Sequence, residues 1–226
     1  MAEQPLDRPV WHALTGLQAR HAVGGPLALR FHPEIGPLAA AASDDEPGLL
    51  ALAALLPEEG GLATVHARPH PLPPGAMLDQ ARPAVQMIAD SAPDPFDHPD
   101  IRPLGHRDAA EMHELALLTE PGPFAARTHE LGQFWGIRAE GRLIAMAGER
   151  MRLPGLGEVS AVCVRPDARG RGLGMLMTRK AMSHIAAQGL QPFLHCYADN
   201  AAAIELYRRL GFRIRSEMVI SRIRRA

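Results

Sequence analysis

The run from Val162 to Gly174, VCVRPDARGRGLG, holds residues whose types and order suit them to chemistry. An apolar, strand-like stretch meets a proline, then a glycine-rich turn, then the start of a helix. The first turn of a helix has free N–H groups and partial positive charge, so such a turn is a ready anion site. Gly170, Gly172 and Gly174 bring main chain close to an anion because no Cβ intervenes, and Arg169 and Arg171 add charge. Two nucleotide loops are excluded by spacing. A Walker loop needs Lys and Ser/Thr after its second glycine, where Met175 and Leu176 follow Gly174. The dinucleotide fingerprint fails at its third glycine whether counted from Gly170 or Gly172. What remains is Arg-x-x-Gly-x-Gly, spelled by Arg169, Gly172 and Gly174.

The elements that must hold this turn are legible on both sides. Glu158 to Val164 is a strongly β-prone run, and Gly172 to Gln188 is a helix with Leu173, Leu176, Met177, Ala181, His184 and Ile185 inward, ended by Gly189. Phe193 to Tyr197 reads as the next strand. Asp199 or Asn200 caps a helix through Leu210, Gly211 stops it, and Phe212 to Ile223 closes as strand. Upstream, Asp100 to Leu104 reads as strand and a helix starts at Asp108. Phe134 to Ala139 and Leu143 to Arg150 flank the hairpin signal Glu140-Gly141. This order predicts a mixed α/β sheet with a right-handed crossover.

The first half carries weaker signals. Val10 to Arg20 and Pro47 to Leu56 read as helices, and Leu27 to Phe31, Leu62 to Ala67 and Val85 to Ala89 as strands. The proline-rich stretch Ser91 to Asp100, SAPDPFDHPD, reads as a connector, giving a supporting α/β half over 1–95 and a second domain over 96–226. No short repeat is present, which disfavours solenoids and propellers.

Composition sets the class. Apolar residues make up 46% and charged residues 22%, as in soluble globular proteins. Lys+Arg at 24 against Asp+Glu at 25 leaves a net charge of −1, so no global field favours nucleic acid or a membrane surface. The apolar run Gly48 to Leu56 is far short of the ~20 residues that span a bilayer. The beginning, MAEQPLDRP, has no apolar signal-peptide core, so a cytoplasmic setting is expected. Cys163 and Cys196 sit in apolar runs and read as reduced, buried thiols. No metal is expected: Cys-x-x-Cys and Cys-x-x-His are absent, and His66 and His70 lie in a proline-rich loop rather than on a helix that would align them. The Arg-rich end, Ser221 to Ala226, reads as a solvated tail.

The Arg169–Gly174 turn resembles the pyrophosphate-binding loop of the GNAT superfamily of acyl-CoA-dependent N-acyltransferases. Asn200, Ala203, Tyr207, Gly211 and Phe212 match a second segment of that superfamily, Asn-x-x-Ala-x-x-x-Tyr-x-x-x-Gly-Phe. Glu158-Val-Ser-Ala-Val162 is similar to the fourth strand of members with a carboxylate there. The likeness covers roughly 100–223 and implies the GNAT fold, with acyl-CoA wedged between two parallel strands that splay apart. The first half bears a weaker likeness to the degenerate partner half of some amino-acid N-acyltransferase relatives.

The resemblance assigns roles. Main-chain groups of Val162, Cys163 and Val164 would pair with the pantetheine arm, and amides of Arg169, Gly170, Arg171, Gly172, Leu173 and Gly174 would hold the pyrophosphate. Asn200 and Ala203 would adjoin the arm, with Asn200 also suited to capping its helix. Tyr207 would be the general acid on the CoA thiolate, against a plain packing role. A backbone N–H near Val162 would polarise the carbonyl. Glu158 is the candidate general base, acting directly or through water, with Glu149 as its competitor.

An amine attacks only when neutral. A lysine-like amine of pKa ~10.4 is neutral about once in 2,500 molecules at pH 7, a handicap of ~4.6 kcal/mol, whereas an α-amine at ~7.7–8.0 loses only ~1–1.4 kcal/mol. The expected activity is acetyl transfer from acetyl-CoA to a small-molecule or peptide amine, direct and within a ternary complex, since neither cysteine sits in a Cys–His arrangement. Arg127, Arg138 and Arg213 are candidates to clamp a substrate carboxylate. The contrasting reading is a non-catalytic acyl-CoA-binding regulatory module. No nucleic acid or membrane partner is expected, and a homodimer stays open.

Overall fold

The computed structural model describes residues 4–91 and 93–226. The first three residues of the opening run and Ala92 of the connector lie outside the described residues.

The chain starts with α1 (Pro9–Thr15), a small sheet of β1 (Ala22–Gly25), β2 (Ala28–Phe31) and β3 (Ala39–Ala41), and α2 (Glu46–Ala54). β4 (Leu62–His66) and β5 (Ala76–Ala89) follow, then β6 (Ile101–Leu104), α3 (Ala109–Thr119), β7 (Phe134–Ala139), β8 (Arg142–Leu153) and β9 (Leu156–Val164). α4 (Leu173–Ala187), β10 (Gln191–Tyr197), α5 (Ala201–Arg209) and β11 (Phe212–Arg225) complete it. The large sheet has eight strands in the order β4-β11-β5-β10-β9-β8-β7-β6. Among its described pairings β9 with β10 runs parallel and the rest antiparallel. That mixed α/β sheet is the fold class the motifs imply.

The two faces of the sheet are covered differently. α3 buries Met112, Leu115 and Ala116 against Phe134, Leu143, Met146, Ala161 and Cys163. α4 buries Met177, Ala181 and Ile185 against Ile144, Ala147, Val159 and Leu194, on the opposite face, because successive strand residues alternate sides. Burying such side chains stabilises by about 1.5–3 kcal/mol each. The β7–β8 turn has Glu140 at φ 50° and Gly141 at φ 78°, the two left-handed residues a tight hairpin needs.

Several departures have identifiable causes. The connector falls between elements but not between sheets, since β4 and β5 from the first half sit beside β11 and β10 from the second. β5 starts nine residues earlier than Val85, at Ala76. Its front half pairs with β11 but lies beyond the end of β10, so Pro83 and the polar residues around it are tolerated there. Asp108 was expected to cap α3, but its carboxylate accepts from Gly105 N and Arg138 instead. Ser221 to Arg225 is strand rather than a solvated tail, with Ile223 buried and Arg225 donating to the Leu56 carbonyl. No described helix is long and apolar enough to cross a membrane.

At Gly148, opposite Phe134 across β7–β8, an added Cβ would lie 2.4 Å from ring atoms of Phe134. Gly148→Ala is therefore expected to cost about 1–3 kcal/mol by overpacking. The readout is a lower urea midpoint at unchanged m value, and an unaltered midpoint would refute this packing account.

Candidate functional site

The parallel strands part early. β9 and β10 share a register at Leu156/Gln191, Gly157/Pro192 and Glu158/Phe193, yet β9 runs on to Val164 and β10 to Tyr197. Past Glu158 and Phe193 their facing main chains have no ladder with each other, leaving donors and acceptors for an extended ligand to pair with. β9 also bulges against β8, since its register slips between Met146/Cys163 and Gly148/Ser160. Ala161, inside the bulge, sits at φ 49°, a left-handed conformation that costs a non-glycine residue of order 1–3 kcal/mol. Such bulges re-aim a strand locally, and this one lies between the fork and Val162.

The glycine turn closes the wide end of the fork. Gly170 (φ 77°) and Gly172 (φ 74°) are left-handed, and Gly172 is the N-cap of α4 with no side chain spent on capping. The free amides of the first turn thus face a cleft of about 530 Å³. Val164, Arg169, Leu173, Gly174, Ala203 and Leu206 contribute to its wall. A Cβ at Gly174 would meet little beyond Leu206 at 3.4 Å, so a side chain there would take space from the cleft side rather than clash with the core.

α5 supplies the other wall. Asn200 Oδ1 accepts from Ala203 N at 3.1 Å, which caps the helix and leaves the amide NH₂ unspent on that bond. The Tyr207 ring packs edge-on to Phe212 at 6.0 Å between centroids. Burial, reinforced by the Cys196 and Cys163 thiols, raises the Tyr207 phenol well above its ordinary range, so it holds its proton at neutral pH. Those sulfurs belong to β10 and β9, which puts the hydroxyl near both strands of the fork. Cys163 itself faces the α3 core, leaving only its main chain toward a ligand. Burial pushes the Cys163 thiol up to about 12 and Cys196 up to about 11, so neither is a thiolate.

Glu158, the candidate base, sits inside a cluster of ion pairs and hydrogen bonds. The side chain is fully buried and both oxygens are taken. Arg150 grips it with two hydrogen bonds, Nε to Oε2 at 2.8 Å and Nη2 to Oε1 at 2.6 Å. His195 Nδ1 lies 2.8 Å from Oε1, and Met151 N donates to Oε2. Burial alone would push this carboxyl up, but the charge of Arg150 and the hydrogen bonds from Arg150 and His195 outweigh it and hold it at about 2. A carboxylate so stabilised is a poor base and has no free lone pair directed at a substrate. Glu149 is no freer: it too is buried, with Arg152, Gln188 and His184 around it. The three arginines suggested for a substrate carboxylate are also engaged, Arg127 with Glu130 and Glu34, Arg138 with Asp108 and Glu111, and Arg213 with Asp90.

Sequence reasoning missed Arg150, His195 and Gln86. Gln86 Nε2 lies 3.0 Å from His195 Nε2 and donates to the Leu6 carbonyl, while its Oε1 accepts from Arg215. An amide N–H can only donate, so His195 Nε2 accepts and its Nδ1–H points to Glu158. The available signal was polar residues isolated in otherwise apolar strand runs, His195 within QPFLHCY and Gln86 within PAVQMIA. A second miss concerns His66 and His70. The loop does bring them together, with ring centroids 4.1 Å apart and Asp44 beside them. Burial, with help from His70 and Arg8, lowers His66 to about 3, so its imidazole is neutral.

Comparison with known proteins agrees with this architecture. The family model described as FR47-like protein matches residues 134–221. Mycothiol acetyltransferase from Streptomyces scabiei is 53% identical over 117 residues, 51% of this chain and 34% of that protein. The enzyme of the same name from Mycobacterium sp. strain JLS is 42% identical over 83 residues, 34% of this chain and 28% of that protein. The chain thus matches about a third of the length of these curated relatives. A GCN5-related N-acetyltransferase from Kribbella flavida shares the fold at TM-score 0.62 and 21% identity, over 95% of this chain and 93% of its own. A crystal structure of a putative acetyltransferase from the GNAT family of Novosphingobium aromaticivorans superposes at TM-score 0.94 with 46% identity, over 99% of this chain and 100% of its own. On that full-length likeness, the chain belongs to the GNAT family.

Proposed function

We propose that this protein transfers the acetyl group of acetyl-CoA directly to a primary amine of a small molecule or peptide. One observation carries the reading: a parallel strand pair that opens after Glu158 and Phe193 onto a helix N-terminus lined by left-handed glycines. An extended, pyrophosphate-bearing thioester fits that geometry, its arm along Val162–Val164 and its phosphates on the amides of Arg169–Gly174, flanked by Arg169 and Arg171. The N–H of Val162, next to the strained Ala161, is placed to polarise the carbonyl. Tyr207 keeps its proton and delivers it to the departing sulfur. Both cysteines stay protonated thiols, which supports direct attack rather than an acyl-cysteine route.

The acceptor follows from what is missing. Glu158 and Glu149 are both committed to ion pairs, and in this reading the ammonium loses its proton to solvent before it attacks. That costs a lysine-like amine ~4.6 kcal/mol at pH 7 and an α-amine only ~1–1.4 kcal/mol. The acceptor is therefore an amine of low pKa, such as an α-amino group. The curated relatives are named mycothiol acetyltransferases, and this chain matches about a third of their length. The same locked carboxylates favour a second reading, a non-catalytic acyl-CoA-binding regulatory module. Turnover separates the two: under the second, CoA raises the melting temperature while no amine in a broad panel is acetylated.

Four outcomes are expected. CoA binds in calorimetry, and charge reversal at both Arg169 and Arg171 weakens it severalfold or more; no binding by the intact chain ends the proposal. Tyr207→Phe keeps CoA affinity and lowers kcat by about 10²–10⁴ if the phenol is the acid, whereas a drop under about threefold removes Tyr207 from the chemistry. Glu158 acts on stability rather than on the proton. Its carboxyl titrates at about 2 in the fold against an ordinary 4.5, so its contribution is present above about pH 4.5 and is lost as pH falls toward 2. Glu158→Gln should flatten that acid limb of the stability profile. Arg150→Met, which strands a buried carboxylate, should cost about 3–5 kcal/mol in denaturant titrations.

A further inference from the structure

On the outer edge of the large sheet, three chain segments converge without forming the hydrogen bonds that would explain the convergence. Asp44 precedes α2, His66 ends β4, and His70 lies in the proline turn ARPHPLPPG. One ligand-capable atom from each lies within 4.8 Å of the other two. His70 Nε2 stands 3.2 Å from Asp44 Oδ1. Even so, the Nε2 atoms of His66 and His70 are both shielded from solvent with no hydrogen-bond partner among the described residues.

The proton on His70 can be placed. Its Nδ1 lies 2.6 Å from the Pro71 carbonyl, which only accepts, so Nδ1 carries a hydrogen, and in the neutral imidazole Nε2 carries a lone pair. A lone pair and a carboxylate oxygen then face each other at 3.2 Å with a second unsatisfied imidazole alongside. The Arg8 guanidinium balances part of the Asp44 charge, and a cation among the three side chains would satisfy the two imidazole nitrogens as well. A second proton on His70 would bridge to Asp44 but would leave His66 Nε2 unsatisfied. It would also add charge beside the Arg8 guanidinium, which approaches the same carboxylate oxygen at 3.5 Å. A divalent metal satisfies all three donors at once.

The geometry suits zinc. At Zn–N and Zn–O distances of ~2.0–2.2 Å, ligand atoms of a tetrahedron stand ~3.3–3.5 Å apart, close to the His70–Asp44 separation, and a small side-chain rotation brings in His66. The Nδ1–H to carbonyl bond of His70 is the outer-shell contact by which proteins fix a ligating imidazole. Prolines at 69, 71, 73 and 74 stiffen the turn and cut the entropy lost in ordering it. We propose that Asp44, His66 and His70 bind a zinc ion, with water as fourth ligand, that pins the proline turn and the approach to α2 onto edge strand β4. β11, β5 and β10 separate β4 from β9, so the ion takes no part in acyl transfer, and the proposal is independent of that reading.

The test uses the full chain, freed of metal by chelator and titrated with zinc chloride. One zinc per chain is expected by calorimetry and elemental analysis, with a raised melting temperature. His70→Gln and Asp44→Asn should each weaken affinity at least tenfold and abolish the thermal shift, while His98→Gln, at an unrelated surface histidine, leaves both intact. Cobalt substituted for zinc should give the visible absorption of a tetrahedral site in the native chain and lose it in His70→Gln. Circular dichroism and CoA affinity, unchanged in all three variants, establish that they are folded. Substoichiometric zinc, or affinity unmoved by His70→Gln and Asp44→Asn, overturns the proposal in favour of a plain His70–Asp44 ion pair.

Discussion

A buried charge sits at the point where the two parallel strands part. Glu158 is the last residue of β9 to keep register with β10, and its carboxylate is bound by Arg150 from β8 and His195 from β10. Removing a carboxylate and a guanidinium from water costs several kcal/mol each, and only close, multiply bonded geometry recovers that. The fork is where the geometry is met. Below it the three strands are joined by ladder bonds, and beyond it β9 stays paired with β8 and β10 with β5 while the Glu158 cluster ties all of β8, β9 and β10 at the branch point.

The other parts of the site follow from that opening. Two diverging strands expose main-chain donors and acceptors that a closed sheet would consume, so a ligand arm can take the place of a strand. The bulge at Ala161 belongs to the same device, because β9 must bend away from β10 while staying bonded to β8. At the mouth, α4 begins on a left-handed glycine instead of a capping side chain, which leaves its amides uncommitted. The Tyr207 phenol, held protonated by burial, stands near both strands of the gap.

Much of this was legible in the sequence where local rules dominate. The glycine turn, the capping Asn200, the Glu140-Gly141 hairpin and the α4 stripe depend on φ preferences and helical spacing, and each stands where those rules put it. Legibility ended wherever a distant partner decided. The polar front of β5 is strand only because β11 runs beside it, and the alanines of β3 pair through the register of β2. Glu158 reads as a free carboxylate until Arg150 and His195 are folded against it. The spacing of His66 and His70 says nothing on its own, since a proline turn and residue 44 supply the rest of that cluster.

The first half is more than a support. β5 pairs with β10 from Phe193 to Tyr197, and β9 leaves β10 after Phe193, so the free strand of the fork is held from the far side by residues 84–88. Gln86 on that strand fixes the His195 tautomer that lets its Nδ1–H reach Glu158, and Arg215 and the Leu6 carbonyl fix Gln86 in turn. The chain of contacts therefore runs from the N-terminal segment through β5 and β10 to the carboxylate at the fork. A domain boundary drawn through the proline connector would cut this chain, leaving His195 free to choose its tautomer and β10 without a neighbour on either side of the gap. The motifs lie after the connector, but the geometry that makes them a site begins before it.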